Sequence, residues 1–147
     1  MKPRSAGSVL LALALLTVVG GCSSRTITFE DSQAAYTADT VFEATDEAPT
    51  PIAHGKPVTD AEDLRHDALV DLRAIGGEAA EAADLLTTEF PSPSRSVPYH
   101  VEAATFEGKP AWVIIEVWGP EGGTLDQTRI WVFERETGNV LFTASIN

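Results

Sequence analysis

Hydrophobic positions in the middle of the chain follow the period of an α-helix. In the segment 59–75 the apolar residues recur at steps of three and four, at Ala61, Leu64, Ala68, Leu72 and Ile75. This spacing places them on one face of a helix. Gly76 and Gly77 give a stop signal, and residues 78–89 then repeat the helical pattern. The pattern therefore predicts two consecutive helices, or one helix kinked at the glycines.

From residue 97 onward the hydrophobic period changes to that of β-strands. Four stretches rich in β-branched and aromatic residues follow one another, at 97–106, 111–118, 128–134 and 140–146. The connections between them are short, which favours an antiparallel meander. Helices followed by a run of strands indicate an α+β fold, with the helices packed on a four-stranded antiparallel sheet.

The central strands of this sheet are apolar on both faces. Antiparallel sheets with one wet face normally alternate apolar and polar residues, so the second face needs a cover. One alternative is the preceding segment, through residues such as Phe29, Tyr36 or Phe42. The other is a partner protein, a second copy of the chain or a hydrophobic ligand, because exposed apolar patches mark binding sites.

An aromatic group of residues is the candidate binding surface. We expect the Ala- and Leu-rich helices to pack on the face with Val, Ile and Leu, which leaves the aromatic side chains on the opposite face. These are Trp112, Trp131, Phe133 and Phe142, with Arg129 beside them. Aromatic residues next to arginine are typical of interface hot spots.

The N-terminus has the layout of a secretory signal peptide. Lys2 and Arg4 precede an apolar run at residues 9–19, broken only by Thr17. A helix of that length spans roughly 16 Å, whereas a bilayer core needs about 30 Å, so a transmembrane helix is not expected.

The end of this segment, Val19-Gly20-Gly21-Cys22, is similar to the lipobox of bacterial lipoprotein precursors. The resemblance implies cleavage before Cys22, diacylglycerol on its sulfur and often acylation of the new amino group. The protein would then be exported and anchored in the outer leaflet of the cytoplasmic membrane, or in an outer membrane if the source has one. This lipid is the only non-protein group that we expect; no cofactor or metal is predicted.

Residues 22–58 are interpreted as the lipidated cysteine followed by a mostly disordered tether. Between residues 30 and 47 there are six acids and no base, a composition that argues against a packed core. The alternatives are a short helix over residues 32–44 or docking of the segment as a strand. The resulting division is a cleaved signal peptide at 1–21, the tether at 22–58 and the α+β domain at 59–147.

Charge and composition exclude some functions. The chain has 22 Asp and Glu against 10 Lys and Arg, a net charge of −12, which argues against nucleic-acid binding. The single cysteine excludes an intrachain disulfide. No nucleophile elbow or glycine-rich phosphate loop is present, so no catalytic residue is predicted. An enzyme using the sheet carboxylates Glu102 or Glu116 is the alternative, unless Glu116 pairs across the strands with Arg129 or Arg135.

The last hairpin carries a second resemblance. Residues 130–141, which include Glu134 and the Thr137-Gly138 turn, are similar to the terminal hairpin of PepSY domains. These are small helix-plus-sheet modules of bacterial envelope proteins and protease pro-regions, and the resemblance implies inhibitory or regulatory binding. The sequence thus predicts an envelope lipoprotein that acts as a non-enzymatic binding or scaffolding module. Its expected partners are the membrane, through the anchor, and a protein or second copy on the apolar sheet face.

Overall fold

A computed structural model describes residues 25–88 and 95–146. The expected signal peptide and Cys22 therefore lie outside the described residues. Two 3₁₀ turns, Val41–Glu43 and Val58–Asp60, lead directly into helices. In chain order the elements are β1 (Thr28–Tyr36), α1 (Ala44–Glu47), α2 (Ala61–Ile75), α3 (Glu78–Thr88), β2 (Ser96–Phe106), β3 (Lys109–Trp118), β4 (Gln127–Glu134) and β5 (Val140–Ile146).

The fold is α+β, as the sequence predicts, but the sheet is larger than expected. Its strand order is β1-β2-β3-β4-β5, so the four C-terminal strands form the antiparallel meander. The additional strand, β1, pairs in parallel with β2 and makes the sheet five-stranded and mixed. The break between α2 and α3 is also confirmed. Gly76 and Gly77 have φ angles of 82° and 56°, which glycine adopts at little cost.

The interpretation of residues 22–58 as a disordered tether is wrong from residue 25 onward. Thr28 lies opposite His100 in the β1–β2 ladder. Ile27 and Val41 are 1% and 0% exposed, as deeply buried as the centre of the sheet. The exposed acids Glu30 and Asp31 lower the mean hydropathy of the segment without preventing its docking. The folded unit therefore begins well before residue 59.

Helices α2 and α3 cover the aromatic face, not the face with Val, Ile and Leu. Trp112 and Phe133 are 3% and 0% exposed. Arg135, directly after β4, lies 4.9 Å from the centroid of the Trp112 ring and donates to Glu78 of α3 at 2.9 Å. The expected assignment fails for a packing reason: small helix residues leave room for large rings on the facing sheet. These small residues are Ala61, Ala68, Ala79, Ala82 and Ala83.

The opposite face is covered by the segment between β1 and α2. The Phe42 ring contacts Phe142 at a centroid distance of 5.9 Å, and Phe106 lies 5.7 Å from Phe142. Farther along, the Gly55 amide donates to the Leu125 carbonyl at 2.8 Å, which ties the segment to the β3–β4 loop. Of the two predicted alternatives for covering the second face, the preceding segment is the one observed.

Phe142 reaches this second face because of a bulge in β5. The Glu134 amide donates to the Asn139 carbonyl at 2.9 Å, so the turn closes as the sequence suggests. The ladder then pairs Phe133 with Val140 but Val132 with Phe142, which leaves Leu141 as an extra residue. This shift separates Phe142 from the other aromatic residues of the predicted surface.

Candidate functional site

Two adjacent strands each bury a glutamate, on opposite faces of the sheet. Glu102 of β2 pairs with Val113 of β3, whereas Glu116 of β3 pairs with Arg129 of β4. Val113 and Glu116 are three residues apart on one strand, so their side chains point to opposite faces. Glu102 and Glu116 are 3% and 0% exposed. Because a buried carboxylate is costly without partners, the environment of each glutamate indicates its role.

Glu116 belongs to a compact ion pair beneath α2. Its Oε1 atom accepts hydrogen bonds from Nε of Arg129 at 2.6 Å and from Nε1 of Trp131 at 2.8 Å. The Arg129 guanidinium also lies over the rings of Trp118 and Trp131, 4.9 and 5.2 Å from their centroids. Burial raises the pKa of Glu116, and the Arg129 charge and these hydrogen bonds oppose that rise.

This arrangement explains why Glu116 stands in an apolar strand. Of the two predicted cross-strand partners, Arg129 and Arg135, the structure confirms Arg129 at an N–O distance of 2.6 Å. Arg65 of α2 contributes a second positive charge near Glu116, although burial lowers the pKa of Arg65 to about 10. The Glu116 carboxylate is fully buried, and its Oε1 atom is the one that Arg129 and Trp131 contact.

The predicted aromatic binding surface does not exist as one exposed surface. Trp112, Trp131 and Phe133 are buried between the sheet and the helices, and the rings of Trp131 and Phe133 stack at 6.0 Å. Phe142 is half-buried on the other face, and Arg129 is occupied by Glu116. The prediction fails because the helices pack on the aromatic face.

A cleft of about 310 Å³ lies on the opposite face, between β1, β2 and the helical turn that contains α1. It is lined by Glu30, Ser32, Ala34, Ala35, Tyr36, Glu43, Glu47 and Glu102. We call it the acidic cleft. Four of its eight lining residues are glutamates and none is Lys or Arg. The lining of this cleft is therefore strongly acidic.

A bulge in β1 shapes one wall of the acidic cleft. The β1–β2 register shifts between Asp31 and Ala35, and Gln33 has a left-handed φ of 57°. Within the bulge the Ala34 amide donates to Ser32 Oγ at 3.1 Å. The Ser32 hydroxyl in turn donates to Glu102 Oε1. Bulges commonly redirect a side chain next to a functional site, and this one turns Ser32 toward Glu102.

Tyr36 supplies the second hydroxyl to the same carboxylate. Its phenol donates to Glu102 Oε1 at 2.9 Å. Burial raises the pKa of Tyr36, and the Glu102 carboxylate raises it further, so the phenol keeps its proton and remains a donor at neutral pH. Glu102 is thus held by two neutral hydroxyls, in contrast to the arginine that holds Glu116.

His100 lies beside Glu102 on the same face. Its Nδ1 atom is 2.7 Å from Thr28 Oγ1, and its Nε2 atom is 3.9 Å from Glu102 Oε2. Nε2 is buried and has no hydrogen-bond partner in the described part of the chain. Burial lowers the pKa of His100, and Glu102 and Glu30 oppose this shift, so the imidazole is mainly neutral at pH 7. His100 therefore does not replace an arginine as the counter-charge of Glu102.

The chemistry of the acidic cleft is that of a receptor for positive charge. Within residues 25–88 and 95–146, none of its four glutamates forms an ion pair with Lys or Arg. The same residues contain no group of three or more His, Cys, Asp or Glu side chains arranged to hold a metal ion. Carboxylates and hydroxyls around an open cleft suit an ammonium or guanidinium group, which donates several hydrogen bonds.

The sequence does not predict this cleft, because most of its lining residues lie in the acidic segment 22–58, whose composition is typical of a disordered tether. The signal that could have found it is the run of six acids at 30–47, which also contains Ser32 and Tyr36. The sequence does predict Glu102 as a carboxylate of the sheet. Its hydrogen-bond partners, Ser32 and Tyr36, lie in β1, about 70 residues earlier in the chain.

Comparisons with known proteins identify no relative. No protein family, curated protein or solved structure with which the chain was compared matches it. The resemblances to lipoprotein precursors and to the PepSY hairpin therefore remain predictions from short motifs. In the described ranges, no helix is both long enough and apolar enough to cross a bilayer.

Proposed function

We propose that the chain is a lipid-anchored protein of the bacterial cell envelope, and that its α+β domain is a non-enzymatic module that binds cationic groups in the acidic cleft. The observation that carries the binding role is the set of four cleft glutamates without a Lys or Arg partner in the described residues. The lipobox-like segment that ends at Cys22 supports the anchor.

Because the folded unit begins near residue 25, a lipid on Cys22 would hold the domain closer to the membrane than the predicted tether would. Only residues 23 and 24 separate Cys22 from Arg25, the first described residue, and Ile27 is already part of the core. Five residues span at most about 17 Å when fully extended. A lipid on Cys22 would therefore keep the domain against the membrane surface, whereas a tether reaching residue 58 would have let it move away.

The physical argument for a cationic ligand starts from Glu102. A nearly buried carboxylate is stabilised by a positive charge more strongly than by neutral hydroxyls alone. Glu43 and Glu47 from the covering turn and Glu30 from β1 surround the same volume. An ammonium or guanidinium group in the cleft would lower the repulsion among these carboxylates, and this gain would favour binding.

The anchor is tested by replacing its one candidate residue. Cys22→Ser should abolish metabolic labelling with palmitate. The protein should then occur as an uncleaved or a released form, and no longer as the lipid-anchored form of the membrane fraction. The wild-type chain is the reference. A variant that still takes up palmitate and sediments with membranes like wild type would show that Cys22 is not the anchor.

The acidic cleft is tested with a defined cationic probe. A fluorescent trilysine peptide should bind the chain, and Glu43→Gln or Glu47→Gln should each weaken binding about two- to fivefold, the effect of a partly exposed ion pair. Glu136→Gln, an exposed glutamate in the β4–β5 turn, is the matched control because it removes the same charge elsewhere. Equal effects of all three substitutions would indicate attraction by net charge alone and contradict a site in the cleft.

A further inference from the structure

The two edge strands of the sheet differ in how well they are protected from pairing with another strand. β1 carries the exposed acids Glu30 and Asp31 and contains the bulge at Gln33. Charged residues and bulges are the usual protection of an edge. β5 has neither a charged residue nor a proline in Val140–Ile146, and its own bulge lies near its start, at Leu141, so residues 142–146 pair regularly with β4. Among the described residues no strand pairs with its outer edge, which leaves that edge as a template for a further strand.

We propose that β5 pairs in antiparallel fashion with β5 of a second copy of this chain, which would join two sheets into one of ten strands. A two-fold axis through Ala144 would place Phe142 opposite the partner's Ile146, and Thr143 opposite the partner's Ser145. The apolar pair lies on the face that Phe42 and Phe106 cover, so the contact would extend each core across the edge. Such self-complementary pairing is what an isologous dimer requires.

Two copies of the chain repel each other less at the β5 edge than at other parts of their surfaces. The chain has a net charge of −12, so two copies repel each other over most of their surfaces. β5 brings no like charges opposite one another, because none of its seven residues is charged. Arg25, the first described residue, lies next to β1, at the opposite edge of the sheet from β5. The two edges are four strand spacings, or about 19 Å, apart.

The first test is the oligomeric state of residues 23–147, which contain every described residue and lack Cys22. Sedimentation equilibrium should show a reversible dimer, and Thr143→Lys should weaken it at least tenfold by placing two lysines across the axis. Gln33→Lys on the β1 edge is the matched control and should leave the dimer intact. Both substitutions lower the negative charge, so general electrostatics predicts tighter association for both. A monomer at every concentration, or a dimer insensitive to Thr143→Lys, would overturn the proposal.

A second test does not depend on the folding of the lysine variant. Ala144→Cys, in the same residues 23–147, should form a disulfide-linked dimer under mild oxidation, because residues opposite each other in an antiparallel pair bring their Cβ atoms within about 5.5 Å. Ala35→Cys on the exposed β1 edge should remain monomeric under the same conditions. Equal cross-linking of the two variants would reflect random collision and contradict pairing through β5.

Discussion

Each face of the sheet buries one glutamate, but the groups that contact the two carboxylates are different. On the face covered by α2 and α3, Glu116 is held by Arg129 and Trp131, and Arg65 adds a further positive charge. On the face covered by the segment between β1 and α2, Glu102 is held by hydroxyl groups and has other glutamates nearby. The carboxylate on the first face is paired with an arginine, whereas the described residues provide no Lys or Arg partner for the carboxylate on the second.

The contrast teaches that burial of a carboxylate does not by itself indicate function. Glu116 was the stronger candidate in the sequence because it stands alone among apolar residues. Its hydrogen-bond partners, Arg129 and Trp131, come from the neighbouring strand of the same chain. Glu102 is less conspicuous in sequence, but it borders a cleft that a ligand can enter.

Deleting the segment that covers the Glu102 face should have the largest effect on the stability of the fold. Deletion of residues 25–57 removes β1 and α1 and uncovers buried residues of the Glu102 face such as Phe106 and Val113. We expect the remaining chain to lose cooperative urea unfolding, since one full face of its sheet would be exposed to water. Deletion of residues 1–24 is the control and should preserve the transition. A cooperative transition near that of the control would mean that this segment is not part of the core.

Breaking the ion pair on the Glu116 face should have the next largest effect. Arg129→Ala leaves a fully buried carboxylate without its main partner, so we expect a loss of about 3–5 kcal/mol in the free energy of unfolding. Arg73→Ala removes an exposed ion pair to Asp84 and should cost less than about 1 kcal/mol. Urea denaturation of the two variants measures the difference. Similar losses for both would contradict the distinction between a buried and an exposed pair.

The same substitution in both glutamates compares the two faces directly. Glu116→Gln leaves Arg129 facing a neutral group and should cost roughly 2–3 kcal/mol. Glu102→Gln keeps an acceptor for Ser32 and Tyr36 and should cost about 1 kcal/mol. The free energies of unfolding, measured at neutral pH, decide the order. A larger loss for Glu102→Gln would show that the carboxylate charge stabilises the Glu102 face without a ligand.

The smallest expected effect is a pH dependence from His100. Its pKa in the folded protein is lowered below the ordinary value of 6.5, chiefly by burial. Its contribution to stability is therefore present above that value and is lost as the pH falls, because the unfolded chain takes up the proton first. The urea midpoint should be lower at pH about 5.5 than at about 7.5.

The control for this effect is a variant that cannot titrate. His100→Gln should show a smaller difference between the two pH values, because it removes the buried imidazole whose pKa is lowered in the folded protein. A variant with the same pH dependence as wild type would assign the effect to another group.

Much of the secondary structure could be predicted because the relevant signals are local. The helical stripe from Ala61 to Ile75, the glycine pair that follows it and the four stretches rich in β-branched and aromatic residues each depend on neighbours within a few residues. The Glu134–Asn139 turn also follows from a short connection, and the sequence leaves Arg129 and Arg135 as alternative partners of Glu116, of which Arg129 is observed. These signals determine the class of fold and the meander.

Only the tertiary structure decided the remaining features, because they depend on contacts between distant segments. β1 is polar on its exposed side and finds its parallel partner about 70 residues later, so no local pattern distinguishes it from a tether. The choice of sheet face for α2 and α3 follows from the fit of small alanines to large rings, which periodicity does not measure. The acidic cleft exists because both effects combine: α2 and α3 take the aromatic face, and the acidic segment then folds over Glu102.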